Sequence, residues 1–200
     1  MKKLLVLLYG IMNYSLGSAS LVYLIAFIFN LFVPFSLDSG EAGNAWAAGI
    51  NSGLMLLFAL QHSIMARPAF KKRLSRYLPQ AAERSTFMLA TAMVTFAMCL
   101  LWQPMPEVLW QAENEVLYNT LLAVGLGGWG LVFYATFLIN HFDLFGLRQV
   151  WLYFVGKEYT HVPFKLSSLY RYVRHPIMTG VFIGIWVTPV MTVGHLLLAI

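Results

Sequence analysis

Cysteine is nearly absent. Cys99 stands alone among 200 residues, so no intramolecular disulfide can form. It sits mid-run in TFAMCLLW, where it reads as a small packed hydrophobe rather than a nucleophile. Charge is scarce too: 10% of residues are charged and 60% are hydrophobic. A soluble domain has about a quarter charged and about half apolar residues. That shortage excludes a single soluble core and points to an all-α, multi-pass membrane bundle. Closely spaced histidine pairs of the HxxxH or HxxHH kind are also lacking. This argues against a metal-oxygenase built on clustered histidines, and no metal site is expected.

What is present is a series of apolar runs. They predict five spans, at about 4–33, 45–65, 85–102, 116–139 and 177–200, in one integral membrane domain covering 1–200. Thirty residues of the first run would make roughly 45 Å of helix, more than a bilayer core of roughly 30 Å requires. The first run should therefore tilt, extend beyond the core, or bend near NYSLGSAS. Lys2 and Lys3 before Leu4–Leu8 resemble the start of a signal peptide, but the apolar run continues, so an uncleaved span is expected. The fifth run carries no polar tail. Twenty-four residues of helix reach the far face, and the apolar ending HLLLAI suggests that a further, returning helix is missing.

Two loops lack Lys and Arg altogether. The segments 34–44 and 103–115 carry Asp38, Glu41, Glu107, Glu113 and Glu115 instead. With a cytoplasmic N-terminus, all thirteen Lys and Arg fall on the inner side, Lys165 among them. This is a positive-inside pattern, and it accounts for the net charge of +5 without nucleic acid. The basic loop 67–84 holds six of the thirteen. It reads as a topology determinant resting on anionic headgroups, with lipid binding as a second reading.

This topology brings polar groups from distant parts of the chain to one membrane depth. Gln61 and His62 lie at the end of the second run, and Asn140, His141 and Asp143 at the end of the fourth. Arg174, His175 and Pro176 open the fifth. Ionisable groups at this depth are costly against lipid, so they are expected to face a common cavity. His141 and Asp143, two apart, would not share a helix face, and a loop is expected there. His161 reads as a loop residue and His195 as an outer-interface residue.

In VRHPIMTGVFIG, Pro176 suits a first helical position and disfavours helix at His175. The free N–H groups of that first turn, with Arg171 and Arg174 beside them, suit a carboxylate or phosphate. Gly180 and Gly184 form a GxxxG pair, read either as close helix packing or as bare backbone beneath a ligand. Trp151, Tyr153, Tyr170 and Tyr172 suit a cation or an adenine ring, or else an interfacial aromatic belt.

LYRYVRHPIMTGVFIGIWVTPVMTVGHLL, together with NHFDLFGLRQVW and QHSIMARPAFKK, resembles the bacterial methanethiol S-methyltransferases of the nurim family. These are distant relatives of the isoprenylcysteine carboxyl methyltransferases. The resemblance runs from about Gln61 to the end of the chain. It implies a multi-pass enzyme of the bacterial inner membrane, with its site at the cytoplasmic side. It implies methyl transfer from S-adenosylmethionine to methanethiol, giving dimethyl sulfide. The expected cofactor-binding residues are Tyr170, Arg174, His175, Pro176 and Gly180. Gln61, His62, Asn140 and Arg148 are expected at the substrate pocket, and His141 and Asp143 at the catalytic step. A small alkyl thiol ionises at about 8.5–10, so forming its thiolate at pH 7 costs about 2–4 kcal/mol. A base such as His141, or a positive field such as that of Arg148, offsets that cost. Acceptors such as a larger thiol, a prenylated thiol or a lipid also fit the pattern, as does a non-catalytic nurim-like protein. No obligate protein partner is implied.

Overall fold

The computed structural model describes residues 1–163 and 168–200; Lys165 lies outside the described residues. Four helices are long and apolar enough to cross a membrane. They are α1 (Lys2–Ile28), α2 (Ala47–Ala66), α4 (Glu83–Leu101) and α5 (Glu115–Ile139). A short α3 (Pro68–Leu74) starts on Pro68 at its first turn and carries the basic loop's Lys71, Lys72 and Arg73. α5 is capped by Asn114, whose side chain accepts from Leu117 N at 2.9 Å.

α1 is continuous through NYSLGSAS and ends at Ile28, not Val33. After it Asn30 and Phe32 take positive φ, and the chain turns. Twenty-seven residues make roughly 40 Å of helix. Its N-terminal part packs on the helix Leu147–Phe154, Gly10 lying against Val150.

The fifth predicted span is not a single helix. α8 (Pro176–Trp186) stops after 11 residues. A strand β2 (Val190–Thr192) and a short α9 (Val193–Ala199) follow. The reason is Pro189: it removes a donor and holds Thr188 out of the helical region, and β-branched Val187 and Thr188 add to the effect. β2 pairs antiparallel with β1 (Val108–Gln111), which lies in the segment expected to be an acidic loop. The chain therefore does not run straight to the far face. It reverses at β2, and α9 packs back against α2 and α8.

Breaking a helix in an apolar layer leaves carbonyls without partners, and side chains supply them here. Trp129 Nε1 donates to Gly184 O at 3.1 Å. His195 Nε2 donates to Ile185 O at 2.7 Å. His195 is thus a buried capping residue, 1% exposed, and not an interface residue.

α5 and α8 pack through glycine. A Cβ placed on Gly128 would stand 2.6 Å from Gly184 N, and one on Gly180 would stand 2.6 Å from Gly128 O. The GxxxG pair therefore lets two backbones approach, as small residues do in membrane helices. Gly180 is covered by α5, which corrects its expected role beneath a cofactor. The hydrophobic core, around Phe27, Ile28, Leu37, Met98, Trp102 and Trp129, sits toward the end where β1 and β2 meet.

Candidate functional site

The basic ends of α1, α2, α4 and α5 carry the polar chemistry. Past α5 the chain takes one further turn of helix, α6 (His141–Leu144). Asn140 caps it, with Oδ1 accepting from Asp143 N at 3.1 Å. The expected loop at His141–Asp143 is therefore helical. Asn140 holds φ +139°, a backbone state unusual for any residue bearing a side chain. Gly146 (φ +91°) then turns the chain into α7 (Leu147–Phe154). A Cβ on Gly146 would meet Ser85 N at 3.0 Å, so glycine is needed both for the turn and for the contact with α4.

His141 is buried, at 6% exposure, among aromatic rings. Phe137 stacks on it at 4.2 Å between centroids, and Phe145, Phe142 and Tyr14 stand edge-on. Both ring nitrogens are engaged. Nδ1 lies 2.8 Å from Thr136 Oγ1, and Nε2 lies 2.8 Å from Tyr14 Oη. Thr136 already donates its hydroxyl to Phe133 O at 2.7 Å. Its oxygen therefore accepts from His141 Nδ1–H, which leaves Nε2 to accept from the Tyr14 hydroxyl. The proton order Tyr14 → His141 → Thr136 → Phe133 follows from that one carbonyl. Burial lowers the His141 pKa below its ordinary value, which favours a neutral imidazole.

Asp143 makes a separate network. Its Oδ1 accepts from Arg148 at 3.0 Å and its Oδ2 from Tyr159 at 3.2 Å, with Arg84 NH1 3.7 Å away. Its backbone oxygen accepts from Arg84 at 2.9 Å and Gln149 at 3.0 Å. Arg148 also reaches the Thr160 carbonyl and hydroxyl, fastening the segment after α7 to the turn. Burial first, and then the Asp143 charge it bonds, pushes the Tyr159 phenol up. The carboxylate is taken up by these partners and does not orient His141.

The three polar groups expected to share a hollow are not all brought together. The structure joins His141, Asp143, Asn140 and Arg148 within one turn and its partners. Gln61 and His62 stand on α2 against α4 instead. Gln61 Oε1 accepts from Thr91 at 3.4 Å, and His62 stacks on Phe58 with Phe87 edge-on. A cavity of about 240 Å³ between Met65, Phe87, Arg84 and Leu144 separates the end of α2 from α6. Arg174 and His175 are exposed at the start of α8, and Pro176 is buried at its first turn. Among the described residues, neither the Arg174 nor the His175 side chain makes a hydrogen bond or ion pair, and neither lines a cavity described here. Tyr170, half-buried, lies in the 3-10 turn Ser168–Arg171 that leads to them. Among the described residues no three His, Cys, Asp or Glu side chains are grouped to hold a metal.

Tyr14, Thr136, Arg84 and Tyr159 join the site without a signal in the sequence. Tyr14 lies in the middle of an apolar run, and nothing local marks it. Only the packing of α1 beside the turn after α5 gives it a partner.

No family model matches the chain, and no solved structure matches it. Curated proteins do. Methanethiol S-methyltransferase 1 of Bradyrhizobium diazoefficiens is 44% identical over 98% of this chain and 70% of its own length. The methanethiol S-methyltransferase of Mycobacterium tuberculosis is 41% identical over 100% of this chain and 82% of its own. Nurim of Xenopus laevis is 31% identical over 76% of this chain and 56% of its own. With identity above 40% along nearly the whole sequence, the chain belongs to the methanethiol S-methyltransferase family.

Proposed function

We propose that this chain transfers a methyl group from S-adenosylmethionine to methanethiol, giving dimethyl sulfide and S-adenosylhomocysteine, at the cytoplasmic side of a bacterial inner membrane. The observation that carries the reading is the 44% identity, over 198 residues, to a protein named for methanethiol S-methylation. The separation of charge supports the orientation: the ends of α1, α2, α4 and α5 that hold the polar site are the basic ends.

S-adenosylmethionine, when bound, supplies an electrophilic methyl on a sulfonium. The residues at the start of α8 fit its carboxylate. Arg174 and His175 have no partners among the described residues, and the first-turn N–H groups of Ile177 and Met178 precede any helical acceptor. Tyr170 stands beside them for the cationic or aromatic part.

The acceptor's proton is handled at His141. The thiol proton passes to Tyr14 Oη as the Tyr14 hydroxyl proton passes to His141 Nε2, while Nδ1–H stays on Thr136. The neutral imidazole is a base suited to pH 7. The rings of Phe137 and Phe145 lie against the imidazolium that forms. Phe137 and Phe142, both at least half exposed, offer an apolar approach from the lipid for a small thiol. Asp143, held between Arg84 and Arg148, positions the turn.

The test is incubation of the membrane-reconstituted protein with labelled S-adenosylmethionine and a panel of thiols, following volatile product. Labelled dimethyl sulfide from methanethiol is expected, and His175→Ala should weaken cofactor binding. Methylation of only larger thiols or lipids would overturn the choice of acceptor. Unchanged cofactor affinity in His175→Ala would remove that residue from the site.

A further inference from the structure

We propose that a cavity of about 850 Å³ at the basic end holds the headgroup of an anionic phospholipid bearing a free hydroxyl, such as phosphatidylglycerol. This site is separate from the α8 start and does not depend on the methyl-transfer reading.

The cavity is walled by the first turn of α1, the turn before α4, α7 and the segment after it. Four cations line it, Lys3, Lys71, Arg84 and Lys157, against two carboxylates, Glu83 and Glu158. Lys71 is spent on Glu83 at 3.0 Å. Arg84 leans on Asp143. Lys3 and Lys157 have no ion-pair partner among the described residues. Lys3 is drawn inward, since a Cβ on Gly156 would stand 3.2 Å from its Nζ. Unpaired cations from two separate elements of one hollow, the first turn of α1 and the segment after α7, suit a phosphate that both reach.

A second observation narrows the ligand. Gln149, 7% exposed, lines the cavity and donates from Nε2 to the Asp143 carbonyl, but its Oε1 has no donor. A buried acceptor without a donor costs free energy, and a small rotation of this amide towards the cavity lets a hydroxyl beside the phosphate supply one. The depth fits a lipid. Lys3 stands at the start of a membrane-crossing helix, and exposed Trp151 on α7 marks the interfacial level at the same end. Basic pockets between helices on this side of a bilayer suit anionic headgroups. The site also gives the basic loop a use beyond topology, because Lys71 and Arg84, both of that loop, line the cavity.

The experiment reconstitutes the full chain with phosphatidylcholine alone or with added phosphatidylglycerol or phosphatidic acid, and measures the lipid retained through detergent washing by mass spectrometry. The parent should retain phosphatidylglycerol about tenfold over phosphatidylcholine. The pair Lys3→Gln and Lys157→Gln should lose most of that preference. Lys72→Gln with Arg73→Gln, which removes equal charge away from the cavity, should keep it. Gln149→Leu, which keeps every cation, should still prefer anionic lipid but no longer favour phosphatidylglycerol over phosphatidic acid. Three results would overturn the proposal: no anionic preference in the parent, equal loss in the Lys72/Arg73 pair, or complete displacement by millimolar glycerol phosphate, which would assign the cavity to a soluble anion.

Discussion

Tyr14 and His141 are 127 residues apart in the chain, and their side chains meet at 2.8 Å. The bond joins the first membrane helix to the turn that follows the last long one. The other imidazole nitrogen is already committed to Thr136, so the phenol reaches the nitrogen that can accept a proton.

Tyr14→Phe removes the hydroxyl and keeps the ring. It should cost about 1 kcal/mol of stability, one hydrogen bond, and should shift the pH profile of turnover. His141→Ala should lower turnover about 10²-fold or more. Steady-state kinetics across pH check both; a Tyr14→Phe profile that overlays the parent's would show that the phenol carries no proton.

Asp143→Asn should destabilise the turn by about 1.5–3 kcal/mol, because the Arg148 hydrogen bond and the longer Arg84 ion pair lose their anionic partner. Thermal unfolding in micelles measures the loss. Arg148→Lys should recover only part of it, since a lysine cannot hold Asp143 and Thr160 together as the guanidinium does.

The glycines of α5 should separate by face. Gly128→Ala forces its Cβ onto the α8 backbone and should cost about 1–3 kcal/mol. Gly127→Ala and Gly130→Ala meet nothing within 4 Å and should be neutral or slightly stabilising. Melting temperatures of the three variants decide it, and equal losses would contradict the packing described.

His195→Ala should cost about 1–3 kcal/mol, because Ile185 O would be left without its donor in an apolar layer. His195→Gln, which can donate, should recover part of the loss in the same unfolding measurement.

Acid should loosen the His141 turn. Burial lowers the imidazole's pKa in the folded chain, so the unfolded chain takes up its proton first as the pH falls. The contribution of His141 is fully present above about 6.5, the ordinary value. It is lost as the pH drops from there through the depressed folded value. Comparing parent and His141→Gln stability between about pH 7 and pH 5 isolates that slope, which should be shallower in the variant.

Much of the fold was legible in the sequence because a membrane helix is a local object. Length and apolar content located α1, α2, α4 and α5 within a few residues, and the one-sided Lys and Arg ordered their ends. The break after Trp186 was missed: Pro189 marks it, but the hydrophobicity of the last apolar run hid it. Pairing was not legible. That β1 meets β2, and that Gly180 packs on Gly128 rather than under a ligand, depends on which helices are neighbours, and apolar content does not record that.

By itself, the sequence determined a helical membrane bundle, its basic and acidic sides, and the residue types gathered at the basic end, because each follows from composition along a single segment. Only the tertiary structure decided which of those residues touch. It gave His141 its proton order through Tyr14 and Thr136, turned Asp143 into the anchor of Arg84 and Arg148, and left Arg174 and His175 exposed. Hydrogen bonds of 3 Å between residues far apart in the chain are set by how the helices pack, which no local pattern of residues specifies.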